Sequence, residues 1–396
     1  MANRLLELQI HHLQLPFRTP FHHAAATRQA TDTIVVAALL ADGTLGYGEG
    51  LPREYVTGES VESVLYHVAA TFADQLTNCQ PKRFPDLLDL VDNLPFTDPQ
   101  GHLIHAARSA VELALLDAYS KHFNTPLHTI PGWLGYPHFG QPGSLPKIRV
   151  SAILDADHPE KLRRRYRLFR LFALKDFKLK LATPFDDQVL SEFCPLLDRQ
   201  LLKGKISLRA DANAACDIDA ALNLADKLAH LGFCCLEQPL DPSDTSHLFT
   251  LADLSPLPLM ADESLRTLDE AAFLAENDLV DDFNIRISKH GGLLPSLRIA
   301  QIAHRHNRQI TLGAMVGESA ILAAAGQAFL QAVPDVRFTE IAYSTFLLKK
   351  DLAKEKIRFR YQGRLRPLSP PGLGLHINPK LLQALQAQPP RNIPLA

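Results

Sequence analysis

The 396-residue chain reads as an α/β protein: a small α+β capping domain, a (β/α) barrel of eight units, and a C-terminal tail that returns to the cap. Three observations predict this. Strand-like segments followed by helix-like ones fill residues 1–130. Short apolar runs then recur about every 24–30 residues from residue 147 to 365, the size of one βα unit. Between these patterns lies a Pro- and Gly-rich stretch, Pro131 to Pro146, the best boundary in the chain. The length exceeds what one ordinary core supports, which also favours a barrel with a smaller partner. Residues 366–396 form the tail, with Pro371-Gly372-Leu373-Gly374-Leu375-His376-Ile377 packing on the cap.

Within the cap, Ile34–Leu40 is strand-like, Asp42-Gly43 a turn, and Leu45-Gly46-Tyr47-Gly48-Glu49 the return strand of a hairpin. Those glycines resemble a phosphate loop only superficially, because no helix opens after them. Val61–Leu76 and Ala106–His122 have helical periodicity, the second with Ala106, Ala110, Val111, Leu113, Ala114 and Ala118 as its apolar face. The barrel runs are Ile148–Leu154, Phe177–Leu181, Ser207–Asp211, Phe233–Glu237, Leu257–Asp262, Asp282–Ile287, Gln309–Met315 and Phe338–Ile341. The eighth is short and its helix is not evident.

Composition excludes several functions. Lys+Arg is 41 against 43 Asp+Glu, a net charge of −2, so no overall positive field suits a nucleic acid. No run of eighteen apolar residues suggests a membrane span. Met1–His12 alternates and carries Glu7, unlike a signal-peptide core. Five cysteines, with no C-x-x-C pair, point to buried thiols in a reducing compartment and hence to the cytoplasm.

In a barrel the active site lies at the carboxyl ends of the strands. The second run ends Lys178-Leu179-Lys180, whose alternation puts both lysines on one face. Asp211, Glu237 and Asp262 end the next three runs. Converging carboxylates repel one another unless a hard divalent cation sits between them, and all-oxygen ligands suit Mg²⁺. Neighbouring lysines should depress each other's pKa, and a lysine so lowered can act as a base. Singly, each acid is more readily a helix cap or ion-pair partner, and a Lys-x-Lys a solvated strand face. The joint register across four consecutive strands is far more specific. Asn213 and Glu263, at the third and fifth strand ends, and Glu318 and Glu340, at the seventh and eighth, are substrate-binding candidates. Glu318 could equally cap a helix beginning near Ser319.

On these residues the sequence resembles the enolase superfamily, in its muconate lactonizing enzyme (muconate cycloisomerase) subgroup, also called the mandelate racemase/muconate lactonizing enzyme family. Gly46-Tyr47-Gly48-Glu49 and Tyr55 to Ser60 look like its capping domain, and Glu112 to Ala118 like its cap helix. The resemblance implies that Asp211, Glu237 and Asp262 bind Mg²⁺, that Lys180 is the base and that Lys178 tunes it. The metal would hold the carboxylate of a small acid and stabilise the ene-diolate formed by α-proton removal. It also implies a homo-oligomer, and contacts from cap loops Phe17–Gln29 and Leu51–Ser60, with His22, His23, Arg28, Arg53 and Tyr55 as candidates.

One departure decides between chemistries. The subgroup carries a second catalytic lysine on strand six, where this chain has Arg286, a poor proton acceptor. Lys289 follows at an odd offset, which places it in the loop before Gly291-Gly292 rather than in the missing base's position. A single base favours cycloisomerisation or β-elimination. The alternatives are a two-base racemase or epimerase of amino acids or dipeptides, and a non-catalytic metal- or ligand-binding barrel. Strand eight reads Thr339-Glu340-Ile341-Ala342 and lacks the Asp-x-Asp of dipeptide epimerases.

Overall fold

The computed structural model describes residues 3–23, 26–140, 150–155, 159–181, 190, 193, 204–369 and 371–395. The cap begins with β1 (Leu5–His23), β2 (Ala26–Leu40) and β3 (Leu45–Gly50), an antiparallel meander. The expected cap loop Phe17–Gln29 is instead the end of a long hairpin. Pro16 pairs with Ala30 and Phe21 with Arg28, with a register irregularity between them that suits the strand's prolines. The side chains of His22 and His23 lie outside the described residues.

The helix His105–Phe123 lies directly on β3. A Cβ on Gly46 would stand 2.2 Å from Ala118 N, one on Gly48 2.0 Å from Ala110 O, and one on Gly50 1.9 Å from Ala106 O. Gly at every second strand position and Ala at every fourth helix position let the two backbones touch. The hairpin glycines serve helix packing.

The barrel strands are β4 (Ala152–Asp155), β5 (Asp176–Lys180), β6 (Ser207–Asp211), β7 (Leu236–Glu237), β8 (Leu259–Ala261), β9 (Asp282–Ile285), β10 (Gln309–Leu312) and β11 (Val336–Thr339). They form one parallel sheet in chain order. A parallel bridge between Val150 and Thr339, with the Ser151 N–H donating to Thr339 O at 2.7 Å, joins the last strand to the first. The expected eight-run barrel is therefore present. The first helix after β11 is the short Ser344–Leu347, and most of the segment between β5 and β6 lies outside the described residues. The tail returns as β12 (Arg391–Pro394), antiparallel to β1 from Glu7–Pro394 to Ile10–Arg391. The Leu373 N–H also donates to Asp117 Oδ1 of the cap helix at 2.8 Å.

Buried polar contacts join cap to barrel. Glu49 of β3 accepts from the Ser319 N–H at 2.9 Å, the Ser319 hydroxyl at 2.6 Å and the Leu322 N–H at 3.1 Å. Arg108 and Glu112 of the cap helix pair with each other. Arg108 also donates to Gly291 O at 2.6 Å, and Glu112 accepts from the Leu294 N–H at 2.7 Å. Cys79, Cys216, Cys234 and Cys235 are free thiols, and Cys194 lies outside the described residues.

Candidate active site

The parallel register sets the site. Lys180 pairs with Asp211 across β5 and β6, and Asp211 with Glu237 across β6 and β7. Asp262 follows β8 by one residue. Successive strands thus deliver Lys180, Asp211, Glu237 and Asp262 to one rim, as the strand ends indicated.

Around them lies a buried charge network. Lys178 Nζ stands 3.4 Å from Asp211 Oδ2, 3.2 Å from Glu237 Oε1 and 2.8 Å from the Glu340 carboxylate. Arg209 pairs with Glu340 and stands 3.8 Å from Glu237 Oε2. Asn284 Nδ2 donates to Glu237 Oε1 at 2.7 Å. Burial alone would pull Lys178 down, but the carboxylates of Glu237, Glu340 and Asp211 outweigh it and hold the ammonium above the ordinary lysine range. This differs from the mutual lysine depression expected from the sequence. Alternation brings the two lysines to one face, but three acids gather at Lys178. Burial acts against ionised Glu340 too, yet Lys178 and Arg209 bring it down to about 2. Glu340 thus stands as the counter-ion of two cations.

Arg286 reaches across the rim. Its guanidinium pairs with Asp262 and stands 3.8 Å from Glu237 Oε1. Lys289 lies in the loop after β9, as expected, but its side chain turns back and is fully buried. Its Nζ donates to Asp262 Oδ1 at 2.7 Å, Asp262 O at 2.7 Å and Asn284 O at 3.0 Å. Burial and the Arg286 charge push Lys289 below the ordinary lysine range. Its three acceptors nevertheless use three N–H groups, which only the ammonium supplies.

The other candidates are spread around this centre. Glu263 is pushed up to about 7 by burial and by Asp211, and its Oε2 is buried without a partner. Glu318 accepts from the Met315 N–H at 2.6 Å and is pushed up to about 8 by burial. Ser319, not Glu318, caps the helix Ala320–Ala332. Asn213 is exposed, with φ +48°. Arg28 and Tyr55 are exposed, whereas Arg53 is buried and bonded to Thr31, Asp32 O, Pro52 O and Val316 O. Arg53 therefore anchors the cap loop. Sequence reasoning gave no role to Arg209 and Asn284. Their signal was alternation within β6 and β9, which sends them inward two residues before Asp211 and Arg286.

The donor set fits a hard divalent cation. Asp211 Oδ2 and Glu237 Oε2 are buried and accept no hydrogen bond, with only the longer ion pairs to Lys178 at 3.4 Å and Arg209 at 3.8 Å beside them, which leaves lone pairs a cation could take. Among the described residues, no three His, Cys, Asp or Glu side chains stand in ligating geometry. Asp262 is turned onto Arg286 and Lys289.

A closed parallel barrel with acids and lysines on one rim, beneath an α+β cap, defines a class of enzymes that remove a proton next to a carboxylate. Residues 164–381 match the enolase C-terminal domain-like family, and residues 6–132 the mandelate racemase/muconate lactonizing enzyme N-terminal domain. The chain belongs to this family of the enolase superfamily. It is an enzyme, and metal-assisted α-proton abstraction fits its family. It is 26% identical over 384 residues to an N-succinyl-L-Arg/Lys racemase of Bacillus cereus, covering 96% of this chain and 98% of that one. It is 29% identical over 377 residues to muconate cycloisomerase 1 of Rhodococcus opacus, covering 92% and 94%. The crystal structure of the Bacillus cereus racemase superposes with a TM-score of 0.83 at 23% identity, covering 98% of this chain and 100% of that one.

Proposed function

We propose that the protein removes the α-proton of a small carboxylic acid with Lys180 as its single base, then completes a cycloisomerisation or a β-elimination. The observation that carries this is Arg286. A guanidinium stays protonated, so the strand-six position across the rim carries a cation rather than a second base. Lys289 does not replace the base, because its ammonium is buried and bonded to three acceptors. A two-base racemase or epimerase is therefore the weaker reading, although several relatives are racemases or epimerases.

Asp211, Glu237 and Asp262 would hold Mg²⁺, which supplies a positive centre for the substrate carboxylate as negative charge grows on it. Lys180 takes the proton at its Nζ. Lys178, paired with Glu340, keeps a fixed positive charge two residues before Lys180 on the same strand. Glu263 and Glu318, both raised towards neutrality, can donate hydrogen bonds to substrate oxygens. Arg28, Tyr55 and Asn213 are exposed contacts for the remainder of the substrate. We also expect a cytoplasmic homo-oligomer, which light scattering tests.

The experiment is solvent deuterium exchange with Mg²⁺ and a panel of small acids. Wild type should exchange the α-proton of one stereoisomer only, and Lys180→Ala should abolish it. Exchange retained in Lys180→Ala sinks the base assignment. Deuterium appearing in both stereoisomers sinks the single-base reading.

A further inference from the structure

The net charge of −2 conceals two basic segments that meet in the fold, flanked by Asp155, Glu160, Asp176 and Glu355. Residues 161–175 and 356–366 together carry twelve Lys and Arg and no Asp or Glu, while the rest of the chain carries 29 against 43. The first segment is most of the helix Pro159–Leu171 with its exit into β5. The second is part of the long connection after β11. The fold brings them together: the Gln362 N–H donates to Phe172 O at 2.7 Å, and the Val150 N–H to Gly363 O at 3.1 Å. Ten of the twelve cations are exposed. Arg165 is paired with Asp155, and Arg170 donates to Leu174 O at 2.7 Å.

The helix turns Leu162 and Tyr166 inward, with the Tyr166 ring 5.2 Å from that of Phe177 and 5.6 Å from that of Phe193. On the outer side, Leu168, Leu171 and Phe172 share one stripe at i, i+3 and i+4. They are 51%, 77% and 43% exposed, and Tyr361 on the adjoining loop is 62% exposed. Exposed leucines are ordinary singly. Four large apolar side chains ringed by arginines are not.

We propose that this face docks the protein peripherally on an anionic lipid bilayer. Leu168, Leu171, Phe172 and Tyr361 would dip into the boundary between headgroups and acyl chains, while Arg164, Arg167, Arg358, Arg360 and Arg364 would lie against lipid phosphates. Basic residues attract an anionic surface additively, and a short apolar anchor supplies the rest. Two copies of the patch repel each other, which argues against a homodimer face. An aliphatic tip is misplaced for a nucleic acid, whose phosphates ask for cations and whose bases ask for aromatic rings. Leu171 and Phe172 lie beside the start of β5, at the opposite end of the strand from Lys180, so docking leaves the barrel mouth open. No described helix is long and apolar enough to cross a membrane, consistent with contact at one leaflet.

The test is co-sedimentation of the full-length protein with vesicles of pure phosphatidylcholine and of phosphatidylcholine with about a third phosphatidylglycerol. Binding should be at least about tenfold tighter to the anionic vesicles at low salt and should be lost at about 0.5 M NaCl. The variant Arg164→Glu/Arg167→Glu/Arg364→Glu should abolish it with an unchanged melting temperature. Leu171→Ser/Phe172→Ser should weaken it several-fold. Equal binding to both vesicle types, or none, overturns the proposal, as does full binding by Leu171→Ser/Phe172→Ser. Tighter binding to a single-stranded oligonucleotide than to anionic vesicles assigns the patch to nucleic acid and overturns it too. So does a change of oligomeric state in the charge-reversed variant.

Discussion

Removing the Arg286 guanidinium should tighten metal binding and loosen the metal-free protein. The guanidinium pairs with Asp262 and stands 3.8 Å from Glu237 Oε1, so it occupies space among two of the three acids that would receive the ion. At an effective dielectric of about 20, a unit charge at that distance from Glu237 is worth about 4 kcal/mol. Loading a divalent cation must disengage or oppose that interaction. Even if side-chain relaxation recovers half, about 2 kcal/mol remains, or roughly thirtyfold in affinity. The perturbation is Arg286→Met, which keeps the stem and removes the charge. Mn²⁺ titration calorimetry, with free Mn²⁺ followed by electron paramagnetic resonance, should show that gain. The metal-free variant should melt lower than wild type, because it leaves buried carboxylates with less compensation. Added Mg²⁺ should then raise its melting temperature more than that of wild type. Unchanged or weaker Mn²⁺ affinity, with an unchanged metal-free melting temperature, would refute the competition between Arg286 and the ion.

Three further outcomes follow from contacts elsewhere. Gly48→Ala puts a Cβ 2.0 Å from Ala110 O, and the helix must retreat. Thermal denaturation should show a loss of about 3 kcal/mol or more; a neutral result would show that the helix moves freely. Glu59 accepts from the Ala106 and Ala107 N–H groups, yet burial pushes it up to about 7. The folded state therefore binds its proton more tightly than the unfolded state, so stability falls as pH rises from the usual carboxyl range through 7. Glu59→Gln should remove about 3 kcal/mol of that slope in urea melts between pH 4.5 and 7.5. Glu340→Gln leaves Lys178 and Arg209 with a neutral partner and should cost about 3–5 kcal/mol, and a variant as stable as wild type would discount the network.

The charged rim was legible because strands have a period of two and a barrel presents their carboxyl ends together. Asp211, Glu237, Asp262, Lys180 and Arg286 need nothing more. Lys289 needed more, because β9 ends at Ile285 and the chain then turns, with the His290 N–H donating to Arg286 O at 3.2 Å. The strand period no longer governs a residue there, so an odd offset does not carry Lys289 away from Asp262. Glu340 was legible as a rim residue but not as a counter-ion. Its partners lie on β5 and β6, and it meets them only because the Val150–Thr339 bridge joins the sheet's two edges. Arg53 reads like any loop arginine, and only the meeting of cap and barrel buries it. The segment Phe17–Gln29, expected as a cap loop, is instead strand paired across a register irregularity.

The contacts of Glu49, Arg108 and Glu112 with the barrel determine how substrate can enter. One hinged lid moving the whole cap would have to expose three buried charges at once and strip two helix starts of their acceptors. Movement confined to the rim, as at the short helix Glu54–Thr57 and the strand next to Arg28, would leave those contacts intact. Substrate preference can then change through those segments while the cap's frame stays docked on the catalytic barrel.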